Sequence, residues 1–236
     1  MTFPGTARVQ MVMNLPVCVD IRTALPEREL APLLDDAFAW LRRVEDAFHP
    51  AGENGRAVER IPEVVEALRR CDELSEEPGG WGERLDPVTY VRGWAVERLS
   101  RALATAGAVD HRVTAGSGTR VRGSSAPGRR WRVGMRDPYD GVTTRVLFAH
   151  DAAVATAGGA QYAGDGRAWV CVVGPDLGAA GAYAAAMHAM GTARARRFGR
   201  ELAAGRPYQS MVVGADGRVT TTPGFTDHGV ETRLAG

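Results

Sequence analysis

The spacing of apolar residues changes near residue 107, and this change limits the folds that the chain can adopt. Before it, apolar residues recur mainly at helical intervals, whereas much of the chain after it consists of short apolar runs between Gly, Pro and Asp turns. Since helices and strands segregate instead of alternating as βαβ units, the pattern predicts an α+β fold. We expect one domain over 1–236, with a helix-rich half at about 1–106 and a strand-rich half at about 107–236.

The same spacing predicts the individual elements. Helices are expected at five places: 27–48, from Pro62 to about Leu74, 84–106, 176–191 and 192–204. Strands are expected at 8–22 (one or two strands, interrupted at Asn14–Pro16), 109–122, 130–136, 143–149, 152–156 and 168–174. A hairpin is expected over 208–225 with its turn at Asp216-Gly217, and loops are expected at 49–57 and 76–84. The glycine-rich segment 114–123 fits no phosphate-binding fingerprint, so it is interpreted as a strand broken by a bulge or by close backbone contact.

Charge and composition exclude several functions. The formal net charge is +1 over 236 residues, which predicts neither a nucleic-acid partner nor a membrane partner. All 29 basic residues are arginine, so a lysine base or lysine Schiff base is excluded. The N-terminus shows no charged leader followed by an apolar segment, and no apolar run approaches membrane-spanning length. We therefore expect a cytoplasmic protein.

The cysteines and histidines form no recognisable metal site. Cys18, Cys71 and Cys171 are far apart and lie mostly among apolar neighbours, which favours buried thiols. The five histidines lack the spacing of zinc ligands, so a zinc site is not expected. His188 lies in an alanine-rich helix and is expected to pack or to lie at the surface instead of acting in catalysis.

The start of the third helix is the least usual feature of the sequence. In "RLDPVTYVRGWAVERL" (84–99), Asp86 is suited to cap the helix and Pro87 to its first position. Arg92 and Gly93 follow in the second turn, where a glycine costs about 1 kcal/mol relative to alanine. Two interpretations are open. Either Gly93 lets the helix approach a ligand that Arg92 touches, or Gly93 serves close helix packing and Arg92 is solvated.

Several segments match the motifs of one family, in order and at similar spacing. The helix start resembles D-x-[SG]-x-x-[KE]-G-[WY]-A-V-[DE]. "VTAGSGTRVRG", "RRWRVGMRDP" and "AVATAGG" are similar to N-x-G-G-D-x-x-x-x-G, P-W-x-V-G-I-x-x-P and A-V-A-T-S-G. "VVGPDLGAAGAYAAAMHAMG" resembles a strand followed by A-D-A-L-[SA]-T, and "MNLPVCVDIR" matches M-G-T-x-x-S loosely. These are motifs of the FAD:protein FMN transferases, the ApbE-type flavin transferases, and the resemblance is best defined over 84–160.

The resemblance implies an ApbE-like flavin transferase fold, with antiparallel strands and segregated helices around a central cleft. Family members bind FAD, use a divalent metal at its pyrophosphate, and transfer the FMN half to a threonine or serine of a target protein. Carried over by position, the resemblance implies that five residues bind the cofactor: Met13, Asp86, Thr89, Arg92 and Gly93. The start of the 84–106 helix is then expected to face a cavity between the strand-rich half and the 176–190 helix.

The other three residues, like Arg92 and Gly93, also have purely structural interpretations. Asp86 is suited to be an N-cap, Met13 a core residue and Thr89 a first-turn residue. Arg92 is expected either to bind the pyrophosphate or to replace the charge of a metal.

The sequence departs from the family pattern where metal and histidine would be expected. The family's metal-binding Asp and Thr fall on Gly181 and Ala185, which offer no oxygen ligand. "AQYAGDGRAWV" follows "ATAGG" where the family has H-I-[IL]-D-P-x-T-G, and it holds no histidine. Thr114 and Gly118 replace the Asn and Asp of N-x-G-G-D, and Ala157 replaces the serine of A-T-S-G. Two family loops are reduced to "HPAGENGRA" and "GGWGER".

The preferred hypothesis is a divergent homologue that lacks the metal-ligand and histidine segments. It would bind a flavin, another small ligand or a protein partner without standard FMN transfer. The alternatives are an active FAD:protein FMN transferase with a rearranged site, and a repurposed enzyme that uses the same cavity. FAD is the cofactor to be considered, and magnesium is not expected at the Gly181–Ala185 face.

Overall fold

The computed structural model describes residues 5–48, 61–76, 85–136, 143–159 and 167–234. Within these ranges there are five α-helices: α1 (Glu27–Phe48), α2 (Pro62–Glu76), α3 (Pro87–Thr105), α4 (Leu177–Met190) and α5 (Thr192–Gly205). The same ranges hold eleven strands: β1 (Thr6–Val12), β2 (Leu15–Ile21), β3 (His111–Ala115), β4 (Gly118–Arg122), β5 (Trp131–Arg136), β6 (Thr143–Ala149), β7 (Ala153–Ala157), β8 (Trp169–Gly174), β9 (Gln209–Val213), β10 (Val219–Thr221) and β11 (Val230–Leu234). A 3₁₀ helix (Pro223–His228) precedes β11.

The strands form two antiparallel sheets. The larger sheet has the order β1-β2-β3-β4-β7-β8-β9-β10, and the smaller has the order β11-β6-β5. Alternate residues of β8 show how the layers stack, since successive side chains of a strand point to opposite faces. Val170 and Val172 join the core beneath the helices, whereas Cys171 and Val173 join the core beneath the smaller sheet. The larger sheet is thus buried on both faces here, which explains the unbroken apolar run of β8.

The helices α1, α2 and α3 are inserted between two neighbouring strands. β2 pairs with β3 in the larger sheet, although the chain between them makes a long helical excursion (residues 22–110). The backbone N–H of Arg22 donates to the carbonyl of Asp110 at 2.7 Å. The N–H of Asp110 in turn donates to the hydroxyl of Thr23 at 2.8 Å. These bonds hold the two ends of the excursion together beside the β2–β3 pair.

The five predicted helices and the hairpin at Asp216-Gly217 are confirmed. The 8–22 segment is a hairpin of two strands, but the interruption predicted at Asn14–Pro16 is misplaced. The turn consists of Met13 and Asn14, with φ of 56° and 57°, because Val12 pairs directly with Leu15 and Pro16 already lies in β2.

The predicted strand at 109–122 is two strands, and the interpretation of 114–123 as a strand broken by a bulge is wrong. β3 and β4 pair as a hairpin in which Ala115 is opposite Gly118. Gly116 and Ser117 therefore form a two-residue turn, and Gly116 has a φ of 55° that suits glycine. The glycine at position 116 in this glycine-rich segment is therefore explained by a tight turn.

Some predictions fall outside the described residues. These are the loop at 49–57, the loop at 76–84 after Glu76, and the part of the histidine-free segment at 160–166. The expectation of one domain over 1–236 stays a prediction. Among the described helices, none combines the length and the apolar character needed to cross a membrane.

Candidate functional site

A cleft of about 160 Å³ lies where the first turns of α3 and α4 meet the turn between β3 and β4. Leu15 of β2 and Ala155 of β7 complete its walls. The two helices contribute the following lining residues: Thr89, Arg92, Gly93 and Val96 from α3, and Leu177 and Gly181 from α4. The prediction that the start of the 84–106 helix faces a cavity opposite the 176–190 helix is therefore confirmed.

Asp86 fixes where α3 begins. Its carboxylate accepts hydrogen bonds from the N–H groups of Val88 at 3.2 Å and Thr89 at 3.0 Å, which are otherwise unpaired at a helix start. The hydroxyl of Thr89 also donates to this carboxylate. Asp86 itself does not line the cleft, so both residues hold the first turn in place, as their structural interpretations expect.

Arg92 points into the cleft and is half-buried. Its Nη2 donates to the backbone carbonyl of Met13 at 3.3 Å, across a large separation in sequence. The backbone of Met13 has a positive φ in the β1–β2 turn, a conformation that residues other than glycine seldom adopt. The side chain of Met13 is buried in the core. Met13 is not among the described residues that line the cleft, and its carbonyl is connected to the site through Arg92. Arg92 is therefore not the freely solvated side chain of the structural interpretation.

Gly93 permits a close crossing of α3 and α4. A Cβ added at Gly93 would lie only 2.5 Å from the carbonyl oxygen of Leu177, and one at Gly178 would lie 3.1 Å from the carbonyl oxygen of Tyr90. Since the nearest atoms are backbone, neither helix could yield without moving as a whole. Gly93 thus serves helix packing, and because it also lines the cleft, the close crossing shapes the site.

The side chains in the cleft do not fit a divalent metal ion. Among the lining residues of the described chain, only Thr89, Arg92 and Ser117 have polar side chains, and none is Asp, Glu, His or Cys. No group of three or more such side chains that could hold a metal occurs within the described ranges. Gly181 lines the cleft and Ala185 is half-buried on the same helix, but neither has a side-chain oxygen. Magnesium requires about six oxygen ligands, usually including a carboxylate.

The two helix starts that face the cleft are already capped. The carboxylate of Asp176 accepts from the N–H of Ala179 at 3.0 Å at the start of α4, as Asp86 does at α3. These caps occupy N–H groups that would otherwise attract an anion. Among the described lining residues, Arg92 is the one with a charged side chain.

A buried carboxylate behind the cleft was missed by the sequence analysis. Glu97 of α3 forms ion pairs with Arg120 at 3.2 Å and Arg122 at 3.1 Å, both on β4. It also accepts from the N–H of Leu177 at 3.4 Å, at the first residue of α4. Burial raises the pKa of Glu97, and the two guanidinium groups oppose this effect. Glu97 ties α3 to both β4 and α4, and so positions two walls of the site.

A neutral histidine extends this polar cluster. His111 Nδ1 donates to the carbonyl of Ala108 at 2.6 Å, so Nε2 accepts from the hydroxyl of Ser100 at 2.7 Å. That hydroxyl also accepts from Nε of Arg122 at 2.9 Å. Burial lowers the pKa of His111. Because Ser100 and His111 are fully buried, this serine–histidine pair joins α3 to β3 and does not face a ligand.

The remaining predicted residues lie away from the cleft. His188 packs against the chain before β8, where its Nδ1 donates to the carbonyl of Ala168 at 2.7 Å, as expected for a packed residue. Cys71 and Cys171 are buried, as predicted, whereas Cys18 is only half-buried on the outer face of β2. The hydroxyl of Thr114 forms a hydrogen bond of 3.1 Å with the hydroxyl of Thr119, its partner in the β3–β4 pair.

Comparison with solved structures defines the class of fold. The chain is similar to the flavin transferase ApbE from Vibrio cholerae, with a TM-score of 0.71 and 17% identity over 95% of this chain and 100% of that chain. It is also similar to the ApbE protein from Thermotoga maritima, with a TM-score of 0.75 and 13% identity over 95% and 99% of the two chains. For the flavinyl transferase ApbE of Pseudomonas stutzeri, the TM-score is 0.75 and the identity 15% over 95% and 96%. The fold is therefore that of the ApbE flavin transferases.

A comparison of the sequence with models of protein families identifies the family. The model of the ApbE family matches residues 24–170, which is more than half of the chain. The chain belongs to the ApbE family. No curated protein sequence matches it significantly.

Proposed function

We propose that the cleft binds the phosphate groups of a flavin nucleotide, with FAD as the first candidate, and that the protein does not carry out the FMN transfer typical of its family. The observation that carries this proposal is the side chain of Arg92. It is a half-buried cation, held by the carbonyl of Met13, and the described residues that line the cleft include no carboxylate or imidazole. Family membership makes a flavin the first ligand to test. The other outcomes of such a test are another phosphorylated ligand or a protein partner.

The five residues implied by the resemblance take different roles in this proposal. Arg92 uses one N–H for Met13 and keeps others for phosphate oxygens, which a guanidinium binds with two parallel hydrogen bonds. Met13 orients Arg92 through its carbonyl. Asp86 and Thr89 fix the first turn of α3, and Gly93 lets α4 come close enough to form the opposite wall.

The side chains of the described residues that line the cleft argue against phosphoryl transfer. This reaction is accelerated by positioning, by neutralisation of charge, and by a group that helps the hydroxyl to attack. Arg92 can neutralise charge, but an arginine does not lose its proton in proteins and cannot act as the base. Ser117 and Thr89 offer only hydroxyl groups, and the hydroxyl of Thr89 already donates to Asp86. At the two positions that the resemblance assigns to the family's metal ligands, this chain has Gly181 and Ala185.

The ligand can be identified directly from purified protein. We expect the absorbance spectrum and mass of any released ligand to be those of a flavin nucleotide. In titrations, FAD and FMN should bind at least about tenfold more tightly than riboflavin, because riboflavin lacks the phosphate that Arg92 would hold. Equal affinity for riboflavin, or no affinity for any flavin, would contradict the proposed ligand. Binding of a non-flavin phosphate compound would identify a different ligand for the same cation.

Activity can be tested with a substrate protein that carries the usual flavinylation threonine. After incubation with FAD and magnesium, we expect its mass to be unchanged, while an active ApbE flavin transferase serves as the positive control. The double variant Gly181→Asp/Ala185→Thr should bind magnesium more tightly without gaining turnover, because the described residues of the cleft still supply no base. A gain of one FMN that depends on the wild-type protein would show that the chain is a working transferase.

A further inference from the structure

The free edge of the larger sheet is unusually apolar. β1 is its first strand and, among the described strands, pairs only with β2. Val9 and Met11 are 61% and 67% exposed, the highest values among the large apolar residues described, and they point to the same face of the strand as Ala7. On β2 the residues of this face opposite Met11, Val9 and Ala7 are Pro16, the half-buried Cys18 and Asp20, whose carboxylate is paired with Arg22 and Arg112. Among the described residues, the core that the smaller sheet shares with the larger one comes from β4, β7, β8 and β9 and includes no residue of β1 or β2.

β1 also lacks the features that usually protect an edge strand. Such strands are commonly interrupted by proline or a bulge, or carry charges on their exposed face. β1 instead pairs with β2 over seven consecutive residues in an unbroken register. Its charged residue, Arg8, points to the opposite face, where its Nη1 donates to Asp35 of α1 at 2.5 Å. An exposed edge of this kind can add another strand by backbone pairing.

A second copy of β1 fits this edge in one register. Antiparallel pairing that uses all seven residues of both strands is centred on Val9, which then lies opposite Val9 of the second copy. Ala7 lies opposite Met11 on the apolar face, and Arg8 lies opposite Gln10 on the face beneath α1. A register centred on Arg8 would place two arginines opposite each other, which is unfavourable.

The charges on α1 are complementary in the same register. Arg8 binds Asp35, and Gln10 accepts a hydrogen bond from Arg42 at 2.5 Å, so these two contacts place Asp35 beside residue 8 and Arg42 beside residue 10. When Arg8 faces Gln10 of the second copy, Asp35 faces Arg42 of the second copy. The two-fold axis repeats this pair, so two carboxylate–guanidinium pairs form at once. The exposed Ala39 lies between Asp35 and Arg42 in sequence and is small enough for the two α1 helices to approach.

We propose that two copies of this chain associate through β1, about a two-fold axis at Val9, to form one continuous antiparallel sheet. The unpaired backbone groups of β1 form the hydrogen bonds between the two copies, and the exposed apolar residues of β1 are covered in the dimer. The charges of α1 select the register. This inference does not rest on the proposed function of the cleft.

The mass of the full-length protein in solution tests the proposal. Sedimentation velocity and light scattering should give twice the 25.2 kDa mass of one chain, with dissociation on dilution. Val9→Lys places two like charges opposite each other at the axis and should raise the dimer Kd at least about tenfold. Val219→Lys is the matched control, because Val219 is 45% exposed on β10, the opposite edge strand of the same sheet. A monomer at about 100 μM chain, or equal effects of the two variants, would overturn the proposal.

A charge exchange tests the register without depending on Val9→Lys. Asp35→Arg places two arginines together, and Arg42→Asp places two aspartates together, so each variant alone should form fewer dimers than wild type. Mixing the two variants restores both opposite-charge pairs, and we expect native mass spectrometry to show the heterodimer in at least about tenfold excess over either homodimer. A mixture that forms no more heterodimer than chance would overturn the proposed register and with it the two-fold arrangement.

Discussion

Arg92 is the residue on which ligand binding is expected to depend. We predict that Arg92→Ala raises the Kd for FAD by about 10- to 100-fold, the value of one or two charge-assisted hydrogen bonds. Arg92→Lys should have an intermediate effect, because lysine keeps the charge but cannot bind two oxygens in parallel. Fluorescence titration of the bound flavin measures both. Arg132→Ala, at an exposed position of β5, is the control, and an equal effect of this substitution would indicate only a general loss of positive charge.

His111 makes the stability of the protein sensitive to acid. Burial lowers its pKa from the usual 6.5, so the unfolded chain takes up a proton at a pH where the folded protein does not. The contribution of His111 to the free energy of unfolding is therefore fully present at high pH. It falls as the pH drops below about 6.5, by at most about 1.4 kcal/mol per pH unit.

Chemical denaturation at about pH 7.5 and 5.5 measures how much the titration of His111 changes the free energy of unfolding. We expect His111→Gln to lose less stability than wild type over this interval, since glutamine can still donate to Ala108 and accept from Ser100 but does not titrate. His150→Gln is the matched control at an exposed histidine. If His111→Gln showed the same pH dependence as wild type, another group would be responsible.

At the scale of secondary-structure elements, the crossing of α3 and α4 depends on glycine. We predict that Gly93→Ala lowers the free energy of unfolding by at least about 2 kcal/mol, because the added methyl group meets the backbone of Leu177 and α4 must move. Gly205→Ala provides the control, since a Cβ there meets nothing within 4 Å and its effect should stay within about 1 kcal/mol. Thermal or urea unfolding measures both variants, and equal effects would mean that the crossing is adaptable.

The elements also show what the sequence can and cannot reveal. The start of α3 is predictable because the cap, Asp86, and its N–H donors are neighbours along the chain. The contact between Arg92 and Met13 joins residues 79 apart, and nothing local in either segment indicates it. Glu97 carries a partial signal, since it follows Gly93 by four residues on a helix and so shares its face. Its partners on β4 become visible only when the strand is placed beside the helix.

At the scale of the whole molecule, the described elements around the cleft bring no Asp, Glu, His or Cys side chain into its lining. We predict that calorimetric titration with magnesium, with or without FAD, gives no saturable heat at concentrations up to about 1 mM. In Gly181→Asp the new side chain would start 3.2 Å from Thr89, at the wall of the cleft, and should create weak binding. Tight stoichiometric binding to wild type that is lost on a change at Gly181 would disprove the prediction.

The bonded ends of the helical excursion have a consequence for how the chain can change in length. Arg22 and Asp110 are joined beside the β2–β3 pair, so the excursion is a loop whose two ends are closed at the sheet. Residues added or removed between α1 and α2 alter the loop without shifting one strand past the other. Closing a longer loop costs little extra entropy, since the cost grows only with the logarithm of its length. The architecture can thus absorb insertions and deletions in one half of the chain while the strand register of the other half stays fixed.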